Sequence, residues 1–251
     1  MPVYNASEYL ELSVRSVIEQ TYKNWELLIV DDFSTDDSLA IAKRLSALDA
    51  RIQVFSLQKN SGAAVSRNLA IEKASGRYIA FLDSDDTWKE IKLERQLAFM
   101  NSNDIAFSYS GFDKIDSVGN TILTVSVSAK ISYSSLLKST SIGCLTAIYD
   151  AEALGKVYMP LIRKRQDLGL WLKLLKLERY AYGLNESLAC YRVREGSISE
   201  NKFNAALYTW KLYREVEKLG ALSATYYFIH YAINGILKTK LPKLGKIMGR
   251  L

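Results

Sequence analysis

Residues 78–86, YIAFLDSDD, constrain the chain more than any other stretch, because an apolar run ends there in clustered carboxylates. Bulky apolar residues suit a strand buried on both faces, with only its carboxyl end meeting solvent. Ligands of open α/β sheets bind at that end. Alternation along an extended chain predicts that Asp83 and Asp85 share one face while Ser84 takes the other. Two carboxylates on one face repel unless a cation or hydroxyl groups lie between them. A hard divalent ion with oxygen ligands, Mg²⁺ or Mn²⁺, suits such a pair. The same residues also admit a purely structural reading. Thr87 and Glu90 fit a capping box, and the acids would then favour the positive end of the following helix.

The chain around this run alternates. Residues 7–20 have helical periodicity, with Leu10, Val14, Val17 and Ile18 on one face. WELLIVDD (25–32) reads as a buried strand ending in acid. Ser34 or Thr35 is placed to cap a helix carrying Leu39, Ala42 and Leu45. IQVFSL is a third strand, and Ser61 and Gly62 open a helix through Ala74. Strands alternating with helices predict an α/β fold with a mostly parallel sheet flanked by helices. The second half changes character. Residues 106–127 read as short antiparallel strands around Gly111 and Gly119. Asp167 starts an apolar helix, YAYGL and ESLACYRV read as strands, and a helical extension runs from about Ser199.

At 251 residues with 49% hydrophobic content, the chain can bury one sizeable core. No apolar stretch approaches a membrane span, and no signal peptide opens the sequence. Cys144 and Cys190 have neither metal spacing nor a disulfide framework, which fits core thiols and a reducing cytoplasm. The net charge of +6 is uneven, with five basic and no acidic residues between positions 238 and 251. Nothing resembling a nucleic-acid reader accompanies that charge, so an anionic substrate or the inner face of a cell membrane is the expected partner. His230, among Tyr, Phe and Ile at helical spacing, reads as a packed or interfacial histidine.

Asp31-Asp32 and Asp83-x-Asp85 place carboxylates along one sheet edge, and several chemistries compete for them. A phospho-receiver module also ends strands in Mg²⁺-binding aspartates, but it would be complete in about half this length. DSDDT imitates a phosphotransferase nucleophile motif, yet Asp167 lacks the second acid that motif needs. A dinucleotide fold fails because no GxGxxG follows a strand.

Three blocks in order carry a resemblance that uses every piece. They are MPVYNASEYLELSVRSVIEQTYKNWELLIVDDFSTDDS, NSGAAVSRNLAIEKASGRYIAFLDSDD and RQDLGLWLKLLK. Together they resemble the inverting glycosyltransferase family 2, over about residues 1 to 195. The resemblance implies a GT-A (Rossmann-like) fold for residues 1–198, with a nucleotide-binding half (1–104) and an acceptor and catalytic half (105–198). Residues 199–251 would form a basic helical extension. It also implies transfer of a sugar from a nucleotide donor, UDP-linked by expectation, to a hydroxyl of a glycan. A lipid-linked acceptor in surface polysaccharide assembly would fit the basic, aromatic tail.

By the same resemblance, Pro2, Val3 and Tyr4 would lie against the nucleobase and Asp32 would hydrogen-bond it. Arg67 would support the nucleotide and the acidic cluster. Asp83, with Ser84 beside it, would face the ribose, and Asp85 would hold the Mg²⁺ or Mn²⁺ that bridges the diphosphate. Asp167 would be the catalytic base, although aspartate is also a favoured helix N-cap. Arg192 or Arg194 would screen the diphosphate as a flexible clamp. Two departures stand out. Gln166 precedes Asp167 where the family often has Glu. Pro2 to Asn5 resemble the turn after a first strand, which predicts an upstream strand of roughly five to ten residues in a native chain, or a weakened copy.

Overall fold

A computed structural model describes residues 1–194 and 202–240. Its first half follows the alternation of the sequence. Strand β1 (Pro2–Val3) leads into α1 (Leu10–Ile18), then β2 (Leu27–Asp31), α2 (Ser38–Leu48), β3 (Ile52–Ser56) and α3 (Ala63–Lys73). The three strands pair in parallel in the order β1-β2-β3. All five residues of β2 are buried, as expected of a central strand covered on both sides. Leu10, Val14 and Val17 of α1 and Ala42 and Leu45 of α2 join Ile29 in one apolar core.

The second half is mixed rather than parallel. Strand β4 (Tyr78–Ala80) pairs antiparallel with β9 (Ile148–Asp150), which pairs antiparallel with β6 (Phe107–Ile115). Strand β10 (Ala181–Arg192) runs parallel to β6, and β5 (Thr87–Trp88) and β8 (Lys130–Ile131) add to it antiparallel. The segments YAYGL and ESLACYRV are thus one strand, with register shifts between Leu184 and Ala189. Strand β7 (Thr121–Val125) returns on β6 around Gly119, whose φ of 101° a side chain would resist. Two short helices, α5 (Tyr133–Lys138) and α6 (Ala151–Leu154), flank this sheet. A second core gathers Phe81, Phe107, Tyr149, Trp171 and Leu172.

Several local expectations are corrected. β4 ends at Ala80, and residues 83–86 form a turn closed by the Asp86 N–H on the Asp83 carbonyl (3.3 Å). Strand alternation therefore does not put Asp83 and Asp85 on one face; the turn gathers them. Thr87 lies in β5, and helix α4 (Lys92–Ser102) begins after Ile91, so there is no capping box. Asp36, rather than Ser34 or Thr35, accepts from the Ser38 N–H at 3.0 Å where α2 starts. Pro2 and Val3 lie within a strand, and the turn comes behind them at Asn5 (φ 47°).

Helix α7 (Gln166–Leu177) crosses the second core, and α8 (Lys202–Lys211) and α9 (Ala221–Lys240) follow. The expected boundary at 198/199 and the basic tail beyond residue 240 lie outside the described residues.

Candidate active site

Asp32 is buried, and its two carboxylate oxygens accept from the Ser61 and Gly62 N–H groups, each at 2.7 Å. It therefore ties the end of β2 to the start of α3, and only its remaining lone pairs could meet a base edge. Among the described residues, one buried oxygen of its neighbour Asp31 has no hydrogen-bond partner. Tyr4 and Phe33 follow the paired strands β1 and β2, and both rings are about half exposed. Two half-exposed aromatic residues at adjacent strand ends offer apolar surface there.

Arg67, carried inward on α3, is the hub. It is buried and ion-paired through Nη2 with Asp83. Burial opposes its charge, but Asp83, with smaller contributions from Cys144 and Asp167, raises its pKa. With its amide oriented to satisfy both neighbours, Gln166 accepts from Arg67 Nη1 at 3.2 Å and donates to the Arg163 carbonyl at 3.3 Å. The next residue, Asn68, bonds Met159 twice, accepting from its N–H (2.8 Å) and donating to its carbonyl (3.0 Å). Consecutive residues of α3 thus grip both ends of the segment that delivers Asp167. Gly169 lets α7 approach that segment, since a Cβ there would collide with the Pro160 ring. Arg165, in the left-handed region at φ 65°, is held by the Tyr231 hydroxyl at 2.7 Å.

Asp167 stands in the first turn of α7, one residue inside it, and the N-cap position belongs to Arg165. The N-cap reading of Asp167 is therefore not the observed one. Among the described residues its carboxylate accepts no hydrogen bond, and it is half-buried within electrostatic reach of Arg67.

The acidic turn is crowded. Burial raises the pKa of Asp85, and Asp83 adds to the rise, while Arg194 opposes it through a 2.8 Å pair. Asp86 is raised well above the usual range, again by burial and then by Asp83 and Asp85. Ser84 sits partly exposed in the same turn. A cation would relieve this repulsion, and an aspartate oxygen with diphosphate oxygens is a donor set that suits Mg²⁺ or Mn²⁺. Among the described residues no three His, Cys, Asp or Glu side chains are arranged to enclose a metal.

The two strand-end arginines differ. Arg192 is buried, and its guanidinium donates to the carbonyls of Asp85 (3.0 Å), Asp116 (3.1 Å) and Ser117 (2.9 Å). Its own N–H bonds Asp86 at 2.8 Å. It braces the turn and is no flexible clamp, which corrects that expectation. Arg194, with a side chain 41% exposed, pairs with Asp85 at 2.8 Å.

Residues 1–152 match the family described as Glycosyl transferase family 2. The chain belongs to that family. It is a glycosyltransferase, and the phospho-receiver alternative falls away. Within family 2 it is 48% identical over 238 residues to TuaG of Bacillus subtilis (strain 168), whose name assigns it to teichuronic acid biosynthesis; the match covers 94% of each chain. It is 40% identical over 241 residues to WfgD of Escherichia coli, a UDP-Glc:alpha-D-GlcNAc-diphosphoundecaprenol beta-1,3-glucosyltransferase, covering 95% of this chain and 92% of that one. Among solved structures, S. aureus TarS 1-349 in complex with UDP-GlcNAc superposes with a TM-score of 0.71 at 20% identity, over 100% of this chain and 78% of that one. The mannosyltransferase PcManGT from Pyrobaculum calidifontis, solved with GDP-Man and Mn²⁺, gives 0.67 at 14% identity, over 99% and 77%. These likenesses establish the GT-A fold expected of family 2.

Proposed function

We propose that this glycosyltransferase moves a sugar, with inversion, from a UDP-sugar to a hydroxyl of a lipid-linked glycan in surface polysaccharide assembly. It would work at the cytoplasmic face of the membrane. The observation that carries the reading is the convergence of the acidic turn and Asp167 on one buried arginine, Arg67. The similarity to an undecaprenol-linked glucosyltransferase supports the acceptor class.

In this reading residues 1–104 bind the nucleotide and 105–198 bind the acceptor and perform the chemistry. Tyr4, behind Pro2 and Val3, stacks on the base, Asp32 shapes the turn beneath it, and Asp83 and Ser84 face the ribose. Asp85 would hold Mg²⁺ or Mn²⁺, which when bound neutralises charge developing on the leaving diphosphate. Arg194, exchanging Asp85 for phosphate oxygens, closes over the donor. Asp167 accepts the acceptor hydroxyl's proton as that oxygen attacks the anomeric carbon from the face opposite the diphosphate. Among the described residues its carboxylate accepts no hydrogen bond, which leaves it open to take that proton.

A screen of sugar nucleotides for Mn²⁺-dependent hydrolysis tests this proposal. Selective turnover of one UDP-sugar is expected. No turnover or binding of any nucleotide sugar, with the fold intact, would contradict it.

A further inference from the structure

The outer face of α9 has no part in the site described above. Leu222 is 90% exposed, and Tyr226, Ile229, Ile233 and Ile236 are between 39% and 54% exposed. Their spacing of four, three, four and three residues puts them on one stripe, within an arc of roughly 80° and along about 21 Å of helix. The opposite face is committed to the protein. Ala224 is buried, Tyr227 and Phe228 pack on the second core, and Asn234 donates to the Lys138 carbonyl at 2.9 Å.

A surface helix ordinarily turns its apolar stripe inward, so an outward one marks a contact. Charge says which kind. After Glu217 the sequence holds six Lys or Arg and no Asp or Glu, with Lys238 and Lys240 at the end of α9. No helix among the described residues is long and apolar enough to cross a membrane. An apolar stripe in a segment whose sequence carries only positive charge suits a helix lying in the plane of an anionic bilayer. A second copy of the chain fits poorly. Five side chains fall well short of the about 20–30 residues a side of a stable interface.

We infer that α9 docks on an anionic lipid surface, with this stripe entering the boundary between headgroups and acyl chains and the cationic sequence of this region favouring anionic headgroups. The inference deepens the lipid-linked reading above and rests on it for its purpose. It also explains why α9 is tied to the site: Tyr231, on the inner face, holds Arg165 directly before Gln166 and Asp167.

Cosedimentation of the full chain with phosphatidylglycerol-containing vesicles and with pure phosphatidylcholine vesicles tests it. The protein should pellet with the anionic vesicles and be released by salt. Ile229→Ser with Ile233→Ser should weaken pelleting by roughly tenfold or more, with UDP affinity and oligomeric state unchanged. K238Q with K240Q should weaken it at low salt, which serves as a second variant away from the stripe. Equal pelleting of the stripe variant and wild type, or equal binding to both lipids, would overturn the inference. So would a stripe variant that changes only the oligomeric state, which would point to a second copy. Vesicle binding without donor binding would instead sink the UDP-sugar reading proposed above and leave this one standing.

Discussion

The acidic turn and the start of α7 hold aspartates in opposite ways. At the turn, the carboxylates themselves are engaged: Arg67 pairs with Asp83, Arg194 pairs with Asp85, and the Arg192 backbone N–H donates to Asp86. At α7, hydrogen bonds hold the neighbouring segment instead: Arg67 donates to Gln166, and Asn68 bonds Met159 twice. These contacts fix the backbone, and among the described residues the Asp167 carboxylate accepts no hydrogen bond. Binding a diphosphate calls for concentrated, compensated charge, whereas a base needs a carboxylate that nothing else has claimed.

Asp85→Ala should have the largest effect, removing Mn²⁺-dependent UDP binding altogether while the fold survives. Unchanged metal-dependent binding by calorimetry would erase the distinction between the two regions. Asp167→Asn should leave UDP binding intact and cut transfer by about 10²–10⁴-fold, the usual worth of a general base. Asn68→Ala should sharpen the comparison. It loosens the segment behind Asp167 and touches neither carboxylate, so kcat should fall roughly tenfold with donor KM unchanged. A matching rise in donor KM would place Asn68 in the donor site instead.

The smallest effect is one of pH. The folded pKa values of Asp85 and Asp86 lie above the ordinary 3.8. The folded state therefore binds protons there before the unfolded chain does, so these groups lend stability as pH falls through that window and withdraw it as pH rises. Metal needs the ionised form. Mn²⁺-dependent UDP affinity should thus begin to fall, on acidification, at a higher pH than for an unperturbed aspartate, while thermal stability does not fall in step.

The first half of the fold was legible because local periodicity and local pairing agree there. α1, β2, α2, β3 and α3 fall where alternation put them, and the three blocks marked the family. What sequence hid was non-local. The turn at 83–86 breaks strand alternation, and the partner that splits β10 from a simple reading is β6, many residues away. Arg192 and Arg194 look alike in sequence, but one is walled in by carbonyls from a distant turn. Asn68 and Gln166 carry no titratable signal, and only the packing of α3 against the segment before α7 shows their use. Lys92, which the sequence does not single out, is buried against Trp88 and Gln96, and burial lowers its pKa to about 7.

The most direct test of the division between the two regions is a side-by-side titration of UDP into Asp85→Ala and Asp167→Asn, with and without Mn²⁺, followed by a transfer assay on the same samples. The account predicts that the first variant loses metal-dependent binding and transfer together, while the second binds like wild type and fails only in transfer. Near-normal transfer by Asp167→Asn, or loss of UDP binding in both variants alike, would contradict it.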